Sequence, residues 1–422
     1  MDVQTLLYNR FLKPFETKKT GQSIGVELEF PLVQTDGGDV DREAARGIYQ
    51  VFLEQGFFVD IAGDSGEPYF IANSAGDSVS FDNSYNNFEF SMQFGPSLSE
   101  IAARFYGYLK TAQQYFNAHN LTLLGRGTNP NQPHISQNPV GFSTYRMVDE
   151  YLHKFCGTHS YCDFPAYLSS VQTHLDVSLF DLPFAYTVFA KLDFARALLF
   201  SNSPDFAKTG YLCYRDYLWE QSGFSRCPNI TGKIDGEFET ADDLLAHFME
   251  KGMFNRIRNG SYEIFSPVPM TDYFENPKYG AQEADIEQYL SFQTVEITAR
   301  GTLEVRGDCA QPFDDAFAPP AFNLGILMNL EEAALCVDGF LAENGISMKN
   351  SHLRDLVVTG KPLDGISDED SLADFLYDLV EIAAEGLLKR GYGEERFLQP
   401  LYARAATLCC PAKREYQNGQ NL

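Results

Sequence analysis

Two glutamates, Glu27 and Glu29, are separated by a single leucine in the stretch GVELEF near the start of the chain. Side chains alternate between the two faces of an extended strand, so both carboxylates share one face and the apolar residues share the other. Burying unpaired carboxylates is costly, and we therefore expect a cation beside them, a hard divalent metal such as Mg²⁺. Taken alone, the pattern also fits a solvated strand with two exposed glutamates.

Three further strand-like regions carry polar side chains on one face. Their polar residues are Asp82 and Glu89 in the second region, Gln172, His174 and Asp176 in the third, and Thr302, Glu304, Arg306 and Asp308 in the fourth. In one antiparallel sheet, these faces would form a floor of carboxylates with one imidazole and one guanidinium. Such a floor can hold several Mg²⁺ ions that bridge the phosphates of a nucleotide, while Arg306 faces a transferring phosphoryl group.

The segments that must position these strands have helical or strand-like patterns of their own. Apolar residues recur at helical spacing in several of them, and Ser97 with Glu100 forms a capping box. The predicted helices are Val3–Phe15, Asp41–Gln55, Ser97–Ala118, Tyr145–Phe155, Pro183–Phe200, Pro320–Glu343 and Asp368–Arg390. Tyr167–Leu179 is predicted as a strand and Phe292–Arg306 as a hairpin.

These patterns predict a single-domain α+β fold, in which a curved antiparallel sheet forms the floor of the active site and helices cover its outer face. No internal repeat and no linker rich in Gly, Pro or Ser divides the chain, so one domain is expected over residues 1–422. An N-terminal helix within residues 1–20 and a polar tail at 414–422 are expected to be peripheral.

Composition limits the classes of partner. The chain has 422 residues and a formal net charge of -26, which would repel nucleic acid and an anionic membrane surface. ATP is not excluded, because metal ions can bring a polyphosphate to a carboxylate-rich pocket, although neither Gly-Lys pair completes a P-loop. Eight cysteines without metal-binding spacing predict reduced thiols, and the lack of a signal peptide or an apolar membrane-spanning run predicts a cytoplasmic location.

Several of these stretches resemble the glutamate-cysteine ligase family of the glutamine-synthetase-like carboxylate-amine ligases, in particular its plant and proteobacterial type. The similar stretches follow the order of the family over most of the chain. They are the Glu-x-Glu strand Ile24–Phe30, the strand pair Ser78–Ser91, the strand Ser169–Asp176, the helix end Ala197–Pro204, the segment Tyr211–Trp219, the strand Thr302–Asp308 and the helices Ala384–Leu401. Thr302 departs from the family, which often has an aromatic residue there.

The resemblance implies a reaction in two steps. ATP phosphorylates the side-chain carboxylate of glutamate, and the amine of cysteine then attacks the acyl phosphate to give an amide. Five carboxylates match metal-binding positions of the family, namely Glu27, Glu29, Asp82, Glu89 and Glu304. His174 matches a position that contacts metal or nucleotide, and Arg306 would neutralise the γ-phosphate, with Glu29 beside it as a catalytic residue. The resemblance further implies that Arg215 binds a substrate carboxylate, with Trp219 and Gln172 in the same subsite.

Other interpretations stay open at the level of sequence. His174 also fits a hydrogen-bonded core histidine, Trp219 a core residue, and Arg215 a surface ion-pair partner of Asp216 or Glu220. The same patterns also fit a related ligase with a different amine or acid substrate, or a catalytically silent ligand-binding member of the fold. Its predicted partners are small molecules only, and the sequence predicts no oligomeric state.

Overall fold

The computed structural model describes residues 2–17, 22–132, 134–205, 209–226, 230–360 and 368–419. Cys227, residues 18–20 of the predicted N-terminal segment and residues 420–422 of the predicted tail lie outside these ranges. The strands are β1 (Ile24–Gln34), β2 (Phe58–Ala62), β3 (Pro68–Ala72), β4 (Ser78–Phe81), β5 (Asn87–Gly95), β6 (Leu121–Leu123), β7 (Ser170–Leu175), β8 (Thr231–Gly232), β9 (Gly252–Arg258), β10 (Ser261–Pro269), β11 (Phe292–Gln293), β12 (Val295–Ile297) and β13 (Leu303–Cys309).

A nine-stranded sheet runs through the described part of the chain in the order β12-β13-β7-β1-β5-β4-β3-β2, and β6 pairs with the end of β1. Every pairing in this sheet is antiparallel. The four polar strand regions therefore become neighbours, since β13, β7, β1 and β5 lie side by side. Two smaller units, the β9–β10 hairpin and the parallel pair β8–β11, lie outside this sheet.

The helices are α1 (Val3–Leu7), α2 (Arg42–Arg46), α3 (Ile48–Glu54), α4 (Leu98–Ala118), α5 (Ser143–Lys154), α6 (Leu182–Lys191), α7 (Asp193–Phe200), α8 (Tyr214–Glu220), α9 (Ala241–Met249), α10 (Met270–Glu275), α11 (Ala318–Met328), α12 (Leu330–Glu343), α13 (Asn350–Val358), α14 (Glu369–Arg390), α15 (Gln399–Thr407) and α16 (Pro411–Gly419). Within the described ranges, none of them combines the length and the apolar character needed to cross a bilayer.

Helices cover the apolar face of the sheet. Phe30 of β1 and Phe90 of β5 both contact Phe105 of α4, with ring centroids 6.0 and 5.2 Å apart. Ser97 caps α4 by accepting a hydrogen bond from the backbone N–H of Glu100, as the sequence predicts. The predicted α+β class, with an antiparallel sheet and helices on its outer face, is confirmed. The prediction of a single domain stays a prediction.

Several predicted elements are shorter than expected or are divided. The predicted helix Asp41–Gln55 breaks at Gly47, where any Cβ would collide with the Tyr115 hydroxyl, so the close packing of α4 requires glycine. The predicted strand Tyr167–Leu179 shrinks to β7, because a 3₁₀ turn occupies its start. The predicted helices Pro183–Phe200 and Pro320–Glu343 are each two helices, α6 with α7 and α11 with α12.

Candidate active site

A cavity of about 430 Å³ opens on the polar face of the sheet. Nine of the ten predicted site residues line it: Glu27, Glu29, Asp82, Glu89, Gln172, Arg215, Trp219, Glu304 and Arg306. The tenth, His174, contacts Glu27 from the adjacent strand β7. The period-two alternation of β1, β5, β7 and β13 brings seven of these side chains to one place, while Asp82 follows β4, and Arg215 and Trp219 extend from α8.

Glu29 and Glu89 are directly paired across β1 and β5. The Glu29 carboxylate accepts hydrogen bonds from the Ser170 backbone N–H at 2.8 Å and from Gln172 Nε2 at 2.7 Å. Burial, followed by the charge of Asp82, nevertheless raises the pKa of Glu29 to about 7. Burial and three neighbouring carboxylates raise the pKa of Glu89 well above its usual range. Burial thus favours the protonated form of both carboxyl groups.

Asp82 follows β4 and faces the same pair. Burial raises its pKa, while a hydrogen bond from the Tyr145 hydroxyl partly offsets that effect. Tyr145 lies on α5, and its hydroxyl oxygen is 2.6 Å from that of Tyr69 on β3. Neither tyrosine was predicted as a site residue, since the sequence gives no signal that α5 lies over this end of the sheet.

A second group joins Glu27, His174 and Glu304. His174 Nε2 lies 3.0 Å from Glu27 Oε1 and 3.9 Å from Glu304 Oε1. One ligand atom from each of the three residues lies within 4.8 Å of the others, a spacing that one metal ion could bridge. Burial alone would raise the pKa of Glu27, but the charge and hydrogen bond of His174 outweigh it and hold that pKa at about 2.

His174 has a second polar contact on its other ring nitrogen. Nδ1 lies 3.2 Å from Thr302 Oγ1, and this hydroxyl is 2.7 Å from Thr298 Oγ1. Burial lowers the pKa of His174, but the charge of Glu27 outweighs this effect and raises it overall. Thr302 therefore supplies a hydroxyl that fixes the orientation of the imidazole.

Two arginines from the β12–β13 hairpin carry positive charge to the carboxylates. Arg306 Nη1 donates to the Ser291 carbonyl at 3.1 Å and lies 3.7 Å from Glu304 Oε2. Arg300 lies in the hairpin turn, with Nη2 3.4 Å from Glu27 Oε1 and its side chain 71% exposed. Arg300 was missed in the sequence because turn residues do not follow the strand alternation.

The predicted position of Asp308 on the same face is wrong. The β7–β13 register shifts between Val305 and Asp308, and both Arg306 and Gly307 donate their backbone N–H to the Thr294 carbonyl. This bulge turns Asp308 to the opposite side of the sheet, where it accepts a hydrogen bond from Asn323 at 3.0 Å.

Arg215 extends from α8 into the other end of the cavity. Its Nη1 donates to the Gly307 carbonyl at 3.5 Å, and within the described part of the chain its buried Nε has no hydrogen-bond partner. The predicted alternative, a surface ion pair with Asp216 or Glu220, is wrong. Arg354 binds Asp216 at 2.7 Å, and Lys233 binds Glu220. Arg215 is therefore buried with donor capacity to spare, which suits binding of a ligand carboxylate.

Trp219 forms an aromatic wall beside Arg215. Its ring stacks on Phe292 with centroids 4.4 Å apart, and its edge meets Phe164 at 4.9 Å. Trp219 belongs both to this aromatic cluster and to the lining of the cavity. The cavity thus has a carboxylate-rich end near β1 and β5, and an end formed by an arginine and aromatic rings.

The protein-family comparison matches residues 23–354 to the model of glutamate-cysteine ligase family 2. The chain belongs to glutamate-cysteine ligase family 2. The matched region includes all ten predicted site residues, and the resemblance inferred from the sequence is confirmed.

Curated glutamate-cysteine ligases align with about half of this family member. The chloroplastic enzyme of Nicotiana tabacum is 28% identical over 233 residues, which cover 51% of this chain and 42% of that protein. The chloroplastic enzyme of Arabidopsis thaliana is 24% identical over 238 residues, covering 53% and 44% respectively. The matched region thus spans less than half the length of these relatives. The predicted cytoplasmic location stays a prediction.

Two solved structures of ligases can be superposed on nearly the whole of this chain, with low sequence identity. A bifunctional glutathione synthetase from Pasteurella multocida covers 99% of this chain and 50% of its own, with 13% identity and a TM-score of 0.45. A glutamate-cysteine ligase from Francisella tularensis in complex with AMP covers 95% and 86%, with 11% identity and a TM-score of 0.46.

Proposed function

We propose that the chain is an ATP- and Mg²⁺-dependent carboxylate-amine ligase that joins the side-chain carboxylate of glutamate to the amine of cysteine. The observation that carries the proposal is that seven carboxylates, among them the five predicted metal ligands, and three arginines line one cavity in a member of this family. A binding protein has no evident need for so many buried carboxylates, because each raises the cost of folding. Small-molecule substrates fit the size of the cavity.

The donor set fits hard divalent ions. Glu29, Asp82 and Glu89 offer only oxygen ligands, and burial, followed by repulsion from neighbouring carboxylates, raises their pKa values. A bound cation would favour the charged forms and so offset both effects. Glu27 and Glu304 offer further carboxylate oxygens next to His174. These carboxylates would hold Mg²⁺, which would supply positive charge against the phosphates during phosphoryl transfer.

The arginines and aromatic side chains of the cavity have separate proposed roles. Arg306 lies beside Glu304 and would orient and neutralise the γ-phosphate of ATP. Arg215 would bind the α-carboxylate of glutamate through its unpaired Nε and a terminal nitrogen. Trp219 and Phe292 would exclude water from the reacting carbonyl and so protect an activated carboxylate from hydrolysis.

The proposed ligation of glutamate and cysteine takes two steps. A side-chain carboxylate oxygen of glutamate attacks the γ-phosphorus of ATP, which releases ADP and forms an acyl phosphate. The neutral amine of cysteine then attacks the acyl carbon, a proton leaves the nitrogen, and inorganic phosphate departs as γ-glutamylcysteine forms. A related ligase that uses another amine in place of cysteine would share the first step and differ only in the second.

The test is ADP release from ATP, Mg²⁺ and glutamate, with and without a panel of amines. The proposal expects rapid release only with cysteine, with one ADP per peptide formed. Release with another amine alone would change the assigned substrate to that amine. Absence of release with every amine would overturn the ligase assignment and favour a ligand-binding member of the fold, which ATP or glutamate binding by calorimetry would then establish.

A further inference from the structure

A second group of metal-ligating side chains lies at the C-terminal end of α5, outside the active site. Asp149 and His153 are four residues apart on α5 and so share one face of the helix. Asp163 reaches them from the loop that precedes β7, with Oδ1 3.2 Å from His153 Nε2. One ligand atom from each of the three residues lies within 4.8 Å of the others.

The imidazole is held in the orientation that a metal ligand needs. His153 Nδ1 lies 2.9 Å from the Asp149 backbone carbonyl, so Nδ1–H donates there and Nε2 faces Asp163. Metal-binding histidines in proteins use this arrangement, in which the second ring nitrogen donates to a carbonyl or carboxylate. Gln137 Nε2 donates to Asp149 Oδ1 at 2.9 Å and orients that carboxylate as well.

One distance in the group, from His153 Nε2 to Asp163 Oδ1, suits a transition metal, whereas the Asp149 carboxylate lies beside the other ring nitrogen, with Oδ1 3.7 Å from Nδ1. Two ligands of tetrahedral zinc, each about 2.0 Å from the ion, are about 3.3 Å apart, and the observed separation of Nε2 from Asp163 Oδ1 is 3.2 Å. An imidazole with two carboxylates favours a borderline ion such as Zn²⁺ over Mg²⁺, which prefers oxygen ligands alone. We propose that Asp149, His153 and Asp163 bind a divalent transition-metal ion of this class.

The position of the group gives the ion a structural role. The same helix places Tyr145 and Val148 in the wall of the cavity, and Pro165 and Leu168, just after Asp163, line that wall from the loop. A metal at this point would join the helix to the loop directly behind the wall. The ion would therefore stabilise the cavity without contacting substrate.

A pair of thiols lies close to the group and defines a competing ligand set. Cys156 Sγ is 3.5 Å from Cys162 Sγ, and it also lies 3.5 Å from the His153 carbonyl. Thiolates give cobalt a strong charge-transfer absorption that carboxylates and imidazole do not. Co²⁺ as a probe therefore distinguishes the two sets.

The experiment measures Co²⁺ bound per chain by equilibrium dialysis under reducing conditions, using the full-length protein stripped with EDTA. His153→Gln and Asp163→Asn should each reduce the number of bound ions by one, with unchanged circular dichroism. The matched controls are Glu150→Gln, an exposed carboxylate beside Asp149, and His119→Gln, an exposed histidine that follows the C-terminal end of α4. Both controls should bind as much Co²⁺ as the wild type.

Two results would overturn the proposal. One is equal Co²⁺ stoichiometry in the wild type, His153→Gln and Asp163→Asn. The other is a thiolate charge-transfer band that persists in His153→Gln, which would assign the ion to Cys156 and Cys162. Zn²⁺ should also raise the unfolding midpoint of the wild type more than that of Asp163→Asn, since a ligand that binds only the folded state stabilises it.

Discussion

Glu29 and Glu89 lie directly opposite each other on adjacent antiparallel strands, and the pKa of each is raised, that of Glu29 to about 7. Like charges at facing positions of a sheet destabilise the pair. The folded protein therefore stores repulsion at this point, which protons or cations can relieve.

Replacing Glu29 by glutamine should abolish ATP turnover without unfolding the protein. The amide keeps the shape of the side chain and can still accept from the Ser170 N–H, but it removes one metal-binding charge. Loss of activity should be about 100-fold or more, since even residues that only support a metal ligand contribute 10- to 100-fold. ADP release is the measurement, with Glu54→Gln, an exposed glutamate of α3, as the control. Full activity of Glu29→Gln would contradict the metal assignment.

The same pair predicts how stability depends on pH. The pKa of Glu29 is about 7 in the folded protein and its ordinary value is 4.5, so between these values the folded state binds a proton that the unfolded state has released. The contribution of Glu29 to stability is therefore present below pH 4.5 and is lost as the pH rises through about 7. In EDTA, the unfolding midpoint of the wild type should fall relative to that of Glu29→Gln over this range.

Added Mg²⁺ should reverse that fall. A cation bound to the carboxylates favours their charged forms, so the difference between the wild type and Glu29→Gln should shrink or change sign when Mg²⁺ is present at neutral pH. Differential scanning calorimetry at several pH values, with EDTA or Mg²⁺, measures this. Identical pH dependence of the two proteins in EDTA would mean that Glu29 ionises normally.

Arg215→Lys should weaken glutamate binding specifically. Arginine can bind a carboxylate through two nitrogens, whereas lysine offers a point charge that would not reproduce this geometry. Loss of one charge-assisted hydrogen bond, about 1.5–3 kcal/mol, corresponds to an increase of roughly 10- to 100-fold in the KM for glutamate. The KM for ATP should change little. Arg46→Lys, a half-buried surface arginine on α2, is the control; equal effects on both KM values would place Arg215 outside the glutamate subsite.

Thr302→Val should lower the pKa of His174. The imidazolium form donates from Nδ1 to Thr302 Oγ1, and valine removes this acceptor without changing the shape of the side chain much. A lost hydrogen bond of about 1 kcal/mol would reduce turnover roughly fivefold. NMR titration of the His174 ring gives the pKa directly. Thr302→Ser keeps the hydroxyl and should give His174 its wild-type pKa. An unchanged His174 pKa in Thr302→Val would contradict the role of Thr302 as a hydrogen-bond acceptor.

The sequence predicts the carboxylate floor well because strand alternation is strictly local. Once Glu27 and Glu29 lie on one strand, their shared face is determined, and neighbouring antiparallel strands add Glu89 and Glu304 to it. The order of the strands in the sheet does not follow from this rule. At the level of sequence, only the resemblance to a known family indicated that these strands lie side by side.

The residues that were missed or misplaced depend on tertiary structure. Tyr145 reaches Asp82 only because α5 crosses the end of the sheet, and Arg300 reaches Glu27 from a turn. Asp308 was assigned to the wrong face because a bulge adds a residue to the strand, and alternation then fails. The requirement for glycine at position 47 likewise reflects the nearby Tyr115 hydroxyl, which helix periodicity cannot reveal.

The bulge in β13 also links two ends of the cavity mechanically. The Gly307 carbonyl accepts from Arg215 at 3.5 Å and from the buried Arg354 at 2.9 Å, and Gly307 follows Arg306 directly in the chain. A Cβ at Gly307 would lie 2.9 Å from Thr294, so a larger residue would push the strand away. The backbone that carries Arg306 is thus in direct contact with Arg215, so a substitution at Gly307 would disturb the phosphate-facing and carboxylate-facing arginines together.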